Sequence, residues 1–160
     1  MTIARFDRVT QAQFRQDAAH LTDPMPLPDI PLPARATTGS AGYDFVCPAT
    51  VTLGPGESAV IPTGVRAFME TGWVLLIFPR SGLGFRHHLR LANTTGVIDS
   101  DYVSAPNGGH IMVKIVNGSD HAFTLERGER FCQGVFVPYG LAEETHLPGD
   151  RSGGLGSTGR

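Results

Sequence analysis

Cysteine is scarce: Cys47 and Cys132 are the only two in 160 residues, with no CxxC pair and no His/Cys cluster. That excludes a disulfide scaffold and a structural zinc site, and it suits a reducing cytoplasm, the expected localisation. Long hydrophobic runs are missing. The longest strongly apolar stretch, Trp73 to Phe78, is six residues, far short of the roughly 20 that cross a bilayer as a helix. The opening MTIARFDRVTQAQ lacks the apolar segment of a secretory signal. An excess of charge is missing too. Thirteen basic against 15 acidic side chains leave a formal −2, so neither nucleic acid nor a membrane is expected as a partner. Lysine is almost absent, Lys114 being the single one. Arginine favours bidentate phosphate recognition, although the codon bias of a GC-rich genome gives the same skew.

Glycine and proline are plentiful, at 20 and 12 residues. In a chain long enough for one domain, this predicts many turns and short elements. Residues 1–33 stand apart. Thr10 and Gln13 form a capping box that opens a helix over Gln11–His20, anchored by Phe14. Pro24, Pro26, Pro28, Pro31 and Pro33 then impose an extended connector, or a proline-rich ligand. From Gly42 onward, GYDFV, ATVTL, SAVIP, GVRAFM, WVLLIF, HIMVKIV, HAFTL and RFCQGVFVP alternate with Gly-rich turn signals. Short strands at this spacing predict an all-β sandwich or barrel in a single domain over 1–160. The closing RSGGLGSTGR is too rich in glycine to hold itself folded, so it is either idle or orders on a ligand.

Five segments carry residues suited to chemistry. PRSGLG (79–84) follows an apolar strand and can open a short helix, with Arg80 and Ser81 offered to an anion; taken alone, a plain turn with a surface arginine is the commoner reading. In NTTGVIDSDY (93–102), Val97 and Ile98 hold a strand that delivers Asp99 and Asp101 two apart, for a metal, for water activation, or merely to solvent. Asn93 and the backbone at Gly96 are able to read a polar base edge. RATTGSAGYDF (35–45) sets Asp44 between two aromatics, where a carboxylate orients waters around Mg²⁺ or caps a turn. RGERFCQGVFVP (127–138) puts Gln133 on the opposite strand face from Cys132. Successive glycine N–H groups in the tail, flanked by Arg151 and Arg160, could wrap a polyphosphate.

Taken in order, TTGSAGYD, PRSGLG, GVIDSDY, RGERFCQGVF and RSGGLGSTG resemble the five motifs of the trimeric dUTP pyrophosphatase (dUTPase) family, over residues 35–160. The resemblance implies a jelly-roll-like β fold, a homotrimer with active sites shared between chains, and Mg²⁺-dependent hydrolysis of dUTP to dUMP and pyrophosphate. Asp99 would be the general base for water attack on the α-phosphorus. Asp44 would hold Mg²⁺ through waters. Arg80, Ser81, Gly82 and Gln133 would lie along the phosphates. Asn93 and the backbone of Gly96, Val97 and Ile98 would read uracil, with Tyr102 under the deoxyribose. Arg151, Gly154, Leu155, Gly156 and Ser157 would close over the nucleotide.

Departures from the family pattern are Leu155 where a uracil-stacking Phe is usual, a fifth motif shorter by one residue, and a long VSAPNGGH (103–110) expected to lengthen a hairpin loop. The related dCTP deaminases carry a Glu on the strand after the third motif. Lys114 stands there instead and cannot move that proton without a large pKa shift. A binding module that has lost turnover is the remaining alternative, and pyrophosphate release on dUTP addition distinguishes it.

Overall fold

The short apolar runs pair, all antiparallel, with strands mostly remote in sequence. The computed structural model describes residues 2–143. Its strands are β1 (Ala4–Arg8), β2 (Ala34–Arg35), β3 (Tyr43–Val46), β4 (Val51–Leu53), β5 (Ser58–Pro62), β6 (Val65–Met69), β7 (Trp73–Pro79), β8 (Arg90–Leu91), β9 (Gly96–Ile98), β10 (Met112–Val116), β11 (Phe123–Leu125) and β12 (Arg130–Pro138). Two seven-residue helices, α1 (Gln11–Asp17) and α2 (Ser81–His87), complete the regular structure of the described residues with two 3₁₀ turns. The five-stranded sheet runs β2-β3-β12-β7-β9, beside smaller sheets β5-β10-β8, β1-β6 and β4-β11.

Alternation along the strands fills one core. Phe45, Leu75, Ile77, Phe131 and Cys132 from the large sheet meet Ile61, Val113, Ile115 and Leu125 from the others. Gly134 of β12 has to be glycine, because a Cβ there would lie 2.8 Å from Leu75 and 3.1 Å from Phe45. Both cysteines are buried, and burial pushes the Cys47 thiol up to about 11. They serve as small core residues.

The N-terminal segment differs from expectation in three ways. Ala4–Arg8 forms a strand on β6, although its sequence mixes charge with a single large apolar residue. Thr10 caps α1 by accepting from the Gln13 N–H at 3.1 Å, but the Gln13 amide reaches forward to Asp17 and leaves the capping box half made. The helix also stops at Asp17, three residues early. There the chain turns so that Leu27 and Ile30 can cover Phe14 and Val9, forming a second buried cluster. The proline connector is extended apart from a 3₁₀ turn at Leu27–Asp29, which takes Pro28 in its first turn, where no N–H is needed. Gly64, at φ +75°, lies under this cluster; a Cβ there would meet Ile30 at 2.9 Å and Leu27 at 3.0 Å.

Candidate active site

Strand register brings one group of candidates together. Asp44 on β3 is paired directly with Gln133 on β12, which is paired in turn with Phe78 on β7. Directly paired residues share a sheet face, so the Asp44 and Gln133 side chains point the same way. Gln133 folds back over Gly42, where a Cβ would overlap its Oε1. Two residues past Phe78 the chain leaves β7, and Arg80 becomes the cap of α2, its carbonyl accepting from Leu83 and Gly84 at 3.1 and 3.0 Å. The short helix expected at Ser81 is therefore present. Ser81 and Gly82 are exposed in its first turn.

Two arginines hold Asp44. Arg80 Nε lies 3.3 Å from one carboxylate oxygen and Arg130 Nη1 3.2 Å from the other, while the Asp44 side chain is only 12% exposed. Arg130 was not among the sequence candidates. A β-bulge between Arg130 and Cys132 makes its placement possible: the extra residue lets Phe131 and Cys132 both enter the core and re-aims Arg130 toward Asp44. In the sequence it stands only as the last residue of the RGER run, which does not fix its direction. Beside this cluster a cleft of about 390 Å³ is lined by Arg80, Gly82, Leu83, Arg86, Gly128, Glu129 and Arg130. Three cations against one carboxylate make its wall attractive to a polyanion.

The second group lies on the far edge of the same sheet. β9 pairs with β7 through Gly96↔Ile77, Val97↔Leu76 and Ile98↔Leu75. Gly96 needs its missing side chain, since a Cβ would lie 3.0 Å from that of Ile77. Asn93 and Thr94 are exposed in the turn before β9, with Thr94 in the left-handed region at φ +69°. Val97 is 58% exposed and Asp99 follows the strand end, exposed. The pairing of Asp99 with Asp101 on one strand side fails. The strand stops at Ile98, and Asp101 has helical backbone angles (φ −88°, ψ −5°), so two-residue alternation no longer applies.

Tyr102 is buried, 6% exposed. Its hydroxyl donates to the His110 carbonyl at 3.0 Å and accepts from Asn107 Nδ2 at 2.9 Å. The VSAPNGGH segment is consequently a compact, hydrogen-bonded turn rather than a longer hairpin loop. Asn107 Oδ1 accepts from the Gly109 N–H, and Gly109 (φ +74°) lies so close to Val103 that a Cβ would be 2.6 Å from its Cα. Lys114 is exposed on β10, opposite Val60 of β5. Arg151, Gly154, Leu155, Gly156 and Ser157 lie outside the described residues.

The two groups do not meet within one chain. Asp44 is level with Phe78, whereas Asp99 lies one step past the Ile98–Leu75 pair, near Val74. At about 3.3 Å per residue and about 4.8 Å per strand, four residues along and three strands across put them roughly 19 Å apart. No side chain spans that gap.

Among the described residues, no helix is long and apolar enough to cross a membrane. The family model for dUTPase matches residues 28–159. The deoxyuridine 5'-triphosphate nucleotidohydrolase of Lactococcus lactis subsp. lactis is 44% identical over 133 residues, 81% of this chain and 89% of that protein. The crystal structure of dUTPase from Streptococcus mutans is 37% identical with a TM-score of 0.70, covering 87% of this chain and 98% of that one. The dUTPase from phage phi11 of S. aureus, in a variant that coordinates a structural Mg(II) ion, shares the fold at 22% identity and a TM-score of 0.68, over 94% of this chain and 100% of that one. The jelly-roll β architecture, the ordered motifs and the extent of these matches agree: the chain belongs to the dUTPase family.

Proposed function

We propose that the protein hydrolyses dUTP to dUMP and pyrophosphate, as a homotrimer whose active sites are shared between chains, with Mg²⁺ bound. The roughly 19 Å between Asp44 and Asp99 carries the shared-site part of this reading, because a water-activating base must lie within hydrogen-bond reach of its water. If the β9 edge of one chain faces the arginine-lined cleft of another, both groups flank one nucleotide.

The residues then divide the work. Asp99 accepts the proton of the water that attacks the α-phosphorus, and the bond to the bridging oxygen breaks to release pyrophosphate. Arg80, Ser81 and Gly82 bind the phosphate chain, with Gln133 on its water side, so that positioning and charge neutralisation supply most of the catalysis. Asn93 and the backbone of Gly96, Val97 and Ile98 read the uracil edge. Cytosine reverses donor and acceptor at positions three and four and would leave a buried backbone group unpaired. Tyr102 walls the deoxyribose against a 2′-hydroxyl. Arg151, Gly154, Leu155, Gly156 and Ser157 close over the bound nucleotide and exclude water.

Asp44 fits a magnesium site of the open kind. Among the described residues no three metal-ligating side chains converge, and Mg²⁺ commonly takes one or two carboxylates, several waters and substrate phosphates. Once bound, the ion neutralises charge on the phosphates. Arg80 and Arg130 orient the Asp44 carboxylate for it.

Pyrophosphate release from dUTP, dTTP, dCTP and UTP, each with Mg²⁺ and with a chelator, tests the reading. Turnover of dUTP alone, lost with chelator, is expected. Binding of dUTP without release would make the protein a nucleotide-binding module instead.

A further inference from the structure

α1 lies outside the residues that the family model matches, 28–159, yet it ends on a buried polar line that leads to Tyr102. His110 is fully buried. Its Nε2 lies 2.8 Å from the Gly64 amide nitrogen, which can only donate, so Nε2 is the acceptor and Nδ1 carries the proton. That Nδ1–H points at Asp17 Oδ2 on α1, 2.5 Å away. The His110 carbonyl in turn accepts from the Tyr102 hydroxyl at 3.0 Å and from Asn107 Nδ2 at 3.1 Å. His110 is thus fixed through ring and backbone together, by the β5–β6 turn and by α1, and Tyr102 is fixed by His110.

We propose that Asp17 and His110 are positioning residues for Tyr102, and that α1 serves as a strut holding the sugar wall of the active site at the height that separates deoxyribose from ribose. This rests on the assignment of Tyr102 to the sugar. A wall that discriminates one hydroxyl by steric exclusion has to be stiff, since a displacement of about 1 Å admits the extra oxygen. The Tyr102 ring lies in a 3₁₀ turn (Tyr102–Ser104), a short element with little rigidity of its own. The grip of His110 and Asn107 on its hydroxyl adds stiffness that the turn lacks. An apolar residue at the end of α1 would join Phe14 and Ala18 in the buried cluster but would leave the His110 Nδ1–H without its acceptor.

The test compares four variants with the natural chain by kcat and KM for dUTP and UTP, and by thermal melt. Asp17→Ala is expected to lower the dUTP-to-UTP preference in kcat/KM by roughly three- to tenfold, the scale of one hydrogen bond, with kcat for dUTP little changed. Asp17→Asn keeps an acceptor for the His110 Nδ1–H and should restore most of the preference. Leu53→Ala, a buried change on β4 with no part in this line, should lower the melting temperature and leave the preference intact. Tyr102→Ala should abolish the preference. An unchanged preference in Asp17→Ala, or an equal loss in Leu53→Ala, overturns the strut. If Tyr102→Ala keeps the preference, Tyr102 is not the sugar wall, and any effect of Asp17→Ala then travels by another route, which overturns the proposal as well.

Discussion

The two halves of the candidate site are built in opposite ways. The half assigned above to the phosphates is interior to the sheet: Asp44 and Gln133 are fixed by register on adjacent strands, and Asp44 is ion-paired from two sides. The half carrying Asp99 hangs on β9, a three-residue edge strand, with Val97 and Asp99 turned outward. Groups that bind a highly charged ligand are organised before it arrives, because their mutual attraction can hold them in place. β9 is paired on one side only, to β7. Its unpaired side is completed by whatever lies against it, and an exposed apolar residue such as Val97 beside an exposed carboxylate marks a surface awaiting a neighbour.

Substitutions on either side sharpen this contrast. Asp99→Asn should give the largest effect, a loss of about 10²–10⁴ in kcat with dUTP binding retained, because the amide cannot take the proton from water. Near-normal turnover would remove Asp99 from the mechanism. On the other half, Gly42→Ala should displace Gln133, whose Oε1 occupies the space of the new methyl. Misplacement of one positioning group predicts a drop of roughly 10- to 100-fold in kcat/KM without loss of the fold. Steady-state kinetics beside a thermal melt check both.

Smaller effects are expected away from the reacting atoms. Leu155→Phe should lower KM for dUTP by up to about tenfold, since base–aromatic stacking contributes roughly 1–3 kcal/mol and a leucine side chain has no ring to stack. An unchanged KM would mean that this position does not reach the base. The least effect concerns stability alone. Burial holds the His110 imidazole below its ordinary 6.5, against the opposing pull of Asp17. The folded chain refuses a proton that the unfolded chain accepts, so this contribution is complete above about pH 6.5 and is lost as pH falls below it. Melting temperature should decline over that range more steeply in the natural chain than in His110→Gln, which keeps an acceptor for Gly64 and a donor for Asp17. Parallel declines would show that His110 does not contribute.

Strand positions were legible in the sequence wherever β-branched and aromatic runs stood between glycine turns. All eight runs from GYDFV to RFCQGVFVP form strands. Ala4–Arg8 was not, because its strand character comes from pairing with β6 and not from its own alternation. Asp44, Arg80 and Gln133 were singled out by residue type in motif context; register pairs Asp44 with Gln133, and Arg80 reaches Asp44 from just past the end of β7. Arg130 was missed because its direction depends on a bulge, and a bulge is set by how Phe131 and Cys132 pack rather than by a local signal. Asp101 was misread for the converse reason: alternation was assumed past the point where the strand had ended. The Asp17–His110–Tyr102 line spans 93 residues between α1 and His110 and leaves no trace in spacing.

Subunit mixing tests the shared site most directly. Asp44→Asn and Asp99→Asn are each expected to be nearly inactive. Unfolded together in equal amounts and refolded, they should regain dUTP hydrolysis, because about one interface in four joins an intact Asp44 to an intact Asp99 from different chains. If the mixture stays as inactive as its parts, although each variant alone refolds to the natural mass and melting temperature, both carboxylates act within one chain and the shared site is wrong.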